Sequence, residues 1–380
     1  MADAVDGILL VSFGGPRAPE DVMPFLERVT AGRGVPRERL ELVAEHYFAR
    51  GGVSPINAET AALVTALRTQ LGARGREDVA VYLGNRNWSP GIDEALIQAA
   101  YDGRRHLAVV LTSAYSGYSS CRQYRENVAD AVDRARDAVG EKLPALSFVR
   151  PWGLQPEVVA TWGRLATEAT RAALESAAGA SSGDSTGAPT GAVAAEGESG
   201  ACETRLVFVA HSIPLAANRA SGPPDDGGAY VRELTRLAEL IAAHVATEVG
   251  RSIPWSLAYC SRSGPPSQPW LEPDISDALA ELAGQGVRSV AAVPIGFVAD
   301  HMEVVQDLDT VAAADAATLG LAWHRAPTLR DDPAVAACLT DLALAAGEAA
   351  APCPAGCCAP IARPGAPSTA DTRAAAFEGA

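Results

Sequence analysis

The stretch LVFVAHSIP, residues 206–214, runs five apolar residues straight into a histidine and closes on a proline. Such a run is short for a helix and suits a buried strand, so His211 is expected at a strand end and not on a helix face. The pattern recurs along the chain. Aliphatic runs at 8–12, 79–83 and 107–111, and again at 206–210, 255–259 and 289–294, each end in a Gly-, Ser- or Pro-rich loop, with longer segments of helical period between them. Alternation of this kind is the signature of parallel βαβ units. Its repetition predicts an α/β fold of two similar doubly wound halves, residues 1–150 and 151–350.

The loops after those runs are SFGGP, GNRNW and TSAYSGYSS in the first half and AHSIP, YCSRSG and IGFVADH in the second. Open parallel sheets bind ligands beyond the carboxyl ends of their strands, so these loops can converge on one cleft although they are far apart in sequence. Residues 176–201 contain no large apolar side chain except Val193. They cannot bury enough surface to offset the entropy of ordering, which predicts a flexible insertion after a helix ending near Glu175. The tail, residues 351–380, reads as irregular, with only its cysteines to fix it.

The chain has 380 residues, 48% apolar and 20% charged, a globular composition with a formal net charge of −15. That charge excludes a broad nucleic-acid surface, which needs many Lys and Arg together. Any anionic ligand must therefore meet a local basic pocket. Asp3 and Asp6 stand where a signal peptide would be basic, and no stretch approaches the roughly 18 apolar residues of a membrane span. The expectation is a cytoplasmic protein without stable membrane insertion. In a reducing compartment the seven cysteines point to metal or redox chemistry and not to a disulfide framework.

By itself a strand-end histidine is more readily structural than functional. A hydrolase built on Ser212 is disfavoured, because neighbours at a strand end point to opposite sides. The second feature is PIGFVADHMEVVQDLD, residues 294–309. A helix starting near Ala299 would align Asp300, Glu303 and Asp307 along one stripe and leave Met302, Val304 and Val305 to be buried. The stripe is either a solvated acidic face near a helix N-terminus or, opposite an imidazole, a handling site for a borderline divalent metal that also accepts protons.

LLVSFGGP, HYFARGGVSPIN, TSAYSGYSSCRQY, AHSIP, SRSGPPSQPWLEPD and VPIGFVADHMEV, in this order from Gly7 to about Leu344, resemble the ferrochelatase family, and within it the bacterial enzymes acting on coproporphyrin III. The resemblance implies two Rossmann-like, chelatase-type halves clasping a porphyrin in the cleft between them, with porphyrin loops on the first half and the metal site on the second. It implies a lyase-type enzyme of haem biosynthesis that inserts Fe²⁺, its substrate metal, to give coproheme. His211 matches the family's active-site histidine and Glu303 its metal-site glutamate, with Asp307 the next acidic position. Val311 stands where some relatives have a further carboxylate. Ser54 and Tyr124 match positions that contact the propionates, and Thr30, His46 and Tyr47 lie at neighbouring contact positions. Phe13 occupies the place of a tyrosine that in several relatives can ligate the product's iron. No protein partner is implied.

Other readings stay open: a protoporphyrin IX ferrochelatase, a cobalt chelatase of a reduced tetrapyrrole, and a non-catalytic porphyrin or haem carrier. Cobalt chelatases usually lack GGVSP and PWLEPD, and a carrier would need an axial ligand that Phe13 cannot give. Some ferrochelatases, actinobacterial ones included, hold a [2Fe–2S] cluster with one internal cysteine and three near the C-terminus. Cys121, with Cys353, Cys357 and Cys358 in CPAGCC, resembles that set, and thiolates suit such a cluster. A zinc site would use the same residues, and Cys202, Cys260 or Cys338 could replace one of them.

Overall fold

The computed structural model describes residues 4–183, 203–264, 267–349 and 353–361. Strands β1 (Gly7–Ser12), β2 (Ala80–Asn85), β3 (His106–Leu111) and β4 (Ala145–Phe148) form a sheet in the order β2-β1-β3-β4. A second sheet of β5 (Thr204–His211), β6 (Trp255–Cys260), β7 (Ser289–Val293) and β8 (Ala322–Arg325) repeats that order as β6-β5-β7-β8. Every pairing is parallel. Helices cover both faces, which is why β1, β3 and β7 are buried along their whole length and apolar but for one end residue each, Ser12, His106 and Ser289. All the runs read from the sequence are strands; β4 and β8 are short edge strands that its pattern does not single out.

Between β1 and β2 lie α1 (Val22–Val29), α2 (Arg37–Phe48) and α3 (Ile56–Ala73). α1 and α2 form a cap whose core of Val22, Phe25, Leu26, Leu40, Ala44 and Tyr47 also takes in Met302 from the second half. α4 (Ile92–Tyr101) and α5 (Gln123–Val139) cover one face of the first sheet, α5 entered through a π-helical turn at Tyr118–Arg122. α6 (Pro156–Gly183) follows β4 but packs on the second sheet.

After β5 come α7 (Leu215–Arg219), α8 (Ala229–Val249) and α9 (Ile275–Gly284). α8 buries Leu234, Leu237, Ala238, Ile241 and Val245, the stripe of a helix lying on a core. Asp274 caps α9 by accepting the Ser276 N–H at 3.0 Å. α10 (Met302–Val304) runs through π-helical Val305–Ala312 into α11 (Ala313–Thr318). α12 (Pro333–Ala349) returns from β8 to pack on α3 and β3 of the first sheet. Ile8, Leu10 and Val110 consequently share one apolar cluster with Phe208 and Val293 of the other sheet.

Some expectations are corrected. The helix expected to end near Glu175 continues to Gly183, with Ala177 buried and Ser176 Oγ 2.9 Å from His324 Nε2. Alanine favours the helix, and side chains this small fit closely against β8. The remainder of the expected insertion, residues 184–201, lies outside the described residues. The helix expected near Ala299 starts at Met302, with His301 as its N-cap. Of the tail, residues 353–361 dock on the body: Cys358 N–H donates to Gly222 O at 2.8 Å, and Arg122 Nη1 donates to Cys357 O at 3.2 Å. Among the described residues no helix is long and apolar enough to cross a membrane.

Candidate active site

β5 delivers His211 to the carboxyl edge of the second sheet. The loop after β7 presses against that edge, an approach that requires Gly296, since a Cβ there would lie 2.6 Å from Ala210 Cα. Tyr230 on α8 donates its hydroxyl to the His211 carbonyl at 2.9 Å. The imidazole is held through Nδ1, 2.6 Å from the Ser212 carbonyl oxygen. A carbonyl only accepts, so Nδ1 carries the proton and Nε2 is left facing the cleft. Opposite it, at 3.5 Å, stands Glu303 Oε2.

The Glu303 side chain keeps 55% of its exposure and His211 33%, so both remain reachable from the cleft although protein encloses them on several sides. Burial favours the neutral form of Glu303, but the hydrogen bond and charge of His211, helped by His301 and Arg33, outweigh it and hold the carboxyl at about 2. Burial likewise opposes charge on His211, and Glu303 overcomes it, raising the imidazole above its ordinary 6.5. Asp307 accepts the Ser261 hydroxyl at 2.5 Å, and burial, with the Glu303 charge adding to it, raises its carboxyl. Phe297 lies between the two histidine rings, 6.5 Å from His211 and 5.3 Å from His301. Tyr47 reaches this pair from the first half: burial, then the Glu303 charge, pushes its hydroxyl above its usual range.

Asp300 does not join the carboxylate stripe. It precedes the helix, is 3% exposed, and is bound by Arg325 at 3.1 Å and Arg330 at 2.9 Å. Its N–H donates to Glu59 Oε2 of α3 at 2.6 Å, and burial, with the Asp300 charge, pushes Glu59 up to about 7. This cluster, whose two carboxylates are largely buried, ties the turn before α10 to the first half.

The first-half residues gather at the other carboxyl edge. Ser54 is buried beneath the SFGGP loop, so close that a Cβ on Gly15 would lie 2.6 Å from its Cβ, and its N–H donates to Pro16 O at 3.0 Å. Tyr124 is buried, with the Arg86 guanidinium 4.2 Å from its ring centre and 5.6 Å from that of Phe13. Thr30 turns its hydroxyl back on Leu26 O at 2.7 Å. His46 lies exposed on α2, joined to neither group by a hydrogen bond or ring contact among the described residues. The structure thus unites His211, Glu303, Asp307 and Tyr47, and separately Phe13, Arg86 and Tyr124. Sequence reasoning passed over His301, Ser261 and Arg86, although each sits in one of the strand-end loops.

A third group is the thiols. Cys357 donates to Cys358 Sγ at 3.8 Å, and that bond, with the Gly222 N–H at 3.2 Å, draws the Cys358 thiol down to about 7. Burial pushes Cys121 up to about 11, and both Cys358 and Cys353 are near enough to act on it. Among the described residues no three His, Cys, Asp or Glu side chains stand close enough to close round one metal ion.

Residues 5–346 match the family model described as Ferrochelatase. A Streptomyces coelicolor protein named coproporphyrin III ferrochelatase is 44% identical over 377 residues, 94% of each chain. Proteins of the same name are 46% identical over 344 residues in Streptomyces griseus, covering 89% of this chain and 84% of that one, and 44% over 328 residues in Mycobacterium tuberculosis, covering 86% and 82%. The solved structure of SirB from Bacillus subtilis with Fe³⁺ is similar with a TM-score of 0.45 and 14% identity, over 90% of this chain and 96% of that one, too loose a likeness to add to the assignment. The extent of the family match and the closeness of these relatives make this chain a member of the ferrochelatase family, a metal chelatase.

Proposed function

We propose that the protein inserts Fe²⁺ into coproporphyrin III to give coproheme, with residues 1–150 supplying the porphyrin wall and residues 151–350 the metal site. The observation that carries the chemistry is the gap between His211 Nε2 and Glu303 Oε2. With a proton in it, the gap is an ion pair. Without one, two lone-pair donors face each other, an arrangement that attracts a cation. Proton and metal therefore compete for the same place, which is what exchanging pyrrole protons for iron requires.

A flat porphyrin hides its nitrogen lone pairs in plane and holds two N–H protons. A cleft that grips the ring edge favours the bent form, and contacts stronger in that form accelerate insertion. His211 takes the pyrrole protons; Glu303 and Asp307 deliver Fe²⁺ and drain protons away through the raised Asp307 carboxyl. Ser54 and Tyr124 offer hydroxyls to propionates; Thr30 and His46 are proposed as further contacts on the cap, and Tyr47 as one that reaches toward Glu303. Phe13 gives the product's iron no axial oxygen. The names of the relatives support coproporphyrin III as the substrate. Its four carboxylates keep it soluble in the cytoplasm, the compartment proposed for the reaction.

Anaerobic insertion kinetics on coproporphyrin III and protoporphyrin IX, with Fe²⁺ and Co²⁺, test this reading. Faster Fe²⁺ insertion into coproporphyrin III is expected. Equal or higher kcat/KM on protoporphyrin IX overturns the substrate, and no insertion at all overturns the activity.

For Cys121, Cys353, Cys357 and Cys358, soft donors near the place where the tail meets Arg122 and Gly222, we propose a [2Fe–2S] cluster whose binding would have to draw the thiols together, since no three of them stand close enough to close round one metal ion. Bound there, the cluster would supply one-electron chemistry. Protein purified anaerobically should be brown, and Cys353→Ser or Cys121→Ser should bleach it. Colourless wild-type protein, with zinc or with no metal, rejects the cluster.

A further inference from the structure

Ser261 follows the last residue of β6 with a backbone φ of 62°, in the left-handed region that a serine enters only under strain. Such strain persists only where the surrounding structure imposes it, and it gathers at functional sites. The Ser261 Oγ lies 2.5 Å from Asp307 Oδ2 and 3.5 Å from Cys260 Sγ. A hydroxyl has one proton, and the carboxylate oxygen is the nearer and the stronger acceptor, so the proton goes to Asp307. The loop that holds the serine is fixed to the strand of the histidine. Cys260 stands beside His211 in the β5–β6 register, and its carbonyl accepts the Ser212 N–H at 2.8 Å. Asp307 belongs to a different element, the π-helical stretch Val305–Ala312, where the nearby Glu303 charge repels it. The Ser261–Asp307 bond therefore ties the strand ends that carry His211 to the helical segment that carries Glu303.

We infer that Ser261 is a positioning residue for iron insertion, whose hydroxyl holds the Asp307 carboxylate in place beside the His211–Glu303 pair. The inference rests on the role proposed above for Asp307. Glycine would take this φ without strain, so the turn by itself does not call for serine; the hydroxyl does. Without it, the like charge of Glu303 and free rotation about the side-chain bonds would let Asp307 swing away from the pair. With it, Oδ2 is committed to the serine, and Oδ1 is left to meet an incoming cation or a departing proton. A donor held ready by the backbone needs no reordering when the metal arrives, and a supporting hydrogen bond of this kind is what keeps a reacting group within a fraction of an ångström of its working place.

Ser261→Gly and Ser261→Ala both remove the hydroxyl but differ in backbone. Glycine accepts a positive φ and alanine does not, so Ser261→Gly should melt at the higher temperature of the two. Anaerobic insertion kinetics with Fe²⁺ and coproporphyrin III are measured on wild type, both variants, Asp307→Asn and the double variant of Ser261→Gly with Asp307→Asn. Both serine variants are expected to lose about tenfold in kcat/KM for Fe²⁺ with the KM for coproporphyrin III unchanged, and the serine change should cost little more once Asp307 is replaced. A loss in Ser261→Ala that Ser261→Gly does not share makes the serine a turn residue only and overturns the inference. So do additive losses in the double variant, or an equal rise in both KM values. If Ser261→Gly does not fold, Ser261→Ala carries the same comparison with Asp307→Asn. Wild-type protein that inserts no iron brings down the activity itself, and Asp307→Asn with wild-type kinetics brings down the role of Asp307. A loss in Asp307→Asn with both serine variants untouched brings down only the positioning by Ser261.

Discussion

β1 and β5 occupy the same place in their sheets, each paired on both sides by parallel neighbours. β1 runs into Phe13, which has no donor atom, and β5 ends in His211, whose free nitrogen faces a carboxylate. The contrast continues along the two edges. β2 leads to Arg86 stacked on aromatic rings, whereas β6 leads to Ser261, which donates to Asp307. On the proposed function, the first edge would meet a flat, acidic molecule and the second a cation and the protons it displaces. The repeated strand order fixes where the loops meet, and the loops alone decide what each edge does.

The sharpest way to break this division is to remove the second edge and ask whether the first still works. His211→Ala is expected to lower Fe²⁺ insertion by about 10³-fold while porphyrin quenching is retained, within the usual range for losing a general base. Glu303→Gln should act in the same direction. Near-normal turnover in either soluble variant, or loss of porphyrin binding with it, would dissolve the distinction between the edges.

A pH profile sharpens it next. His211 must be neutral to take a proton, and Glu303 raises its pKa, so kcat should fall as pH drops through a value above 6.5. In Glu303→Gln the carboxylate that raises it is gone while the burial that lowers it remains, so the acid limb should move to lower pH. A limb that does not move assigns the titration to another group.

Changes on the first edge should be milder and of another kind. Ser54→Ala and Tyr124→Phe are expected to raise KM for coproporphyrin III about tenfold with little change in kcat, the mark of a lost binding hydrogen bond. Smallest of all should be Arg50→Ala. Arg50 donates across to Gln306 at 3.2 Å and to Thr310 at 2.5 Å, contacts near the surface whose loss should cost about 1 kcal/mol or less and be visible mainly in Tm. A large kcat effect there would mean that the grip between the halves governs turnover.

Much of this was legible in the chain because apolar runs ending in small-residue loops have few other solutions. The long buried strands and the strand-end place of His211 followed from that alone. β4 and β8 did not, since four-residue edge strands with half-buried side chains leave little pattern. Asp300 misled for a definite reason: helical spacing aligned it with Glu303, but Arg325 and Arg330 draw it into the core one turn early. Arg86 was hidden differently, because its place over the rings of Tyr124 and Phe13 depends on neighbours distant in sequence. Ordered motifs supplied what spacing could not, the pairing of His211 with Glu303.

α6 leaves the first sheet to lie on the second, and α12 leaves the second to lie on the first. With the boundary at residue 150 both helices belong to the second half, so the second sheet is covered by its own chain and the first is finished by a helix that the second half makes. A cut near residue 150 would strip the second sheet of nothing in sequence order, yet the liberated N-terminal fragment would lack the helix that covers α3 and β3. The N-terminal fragment is not a self-sufficient folding unit, and in the whole chain the two sheets should melt in one cooperative step. For a polypeptide still emerging from the ribosome, the first half stays uncovered until residue 349 has been made, so it is completed only when nearly everything else is.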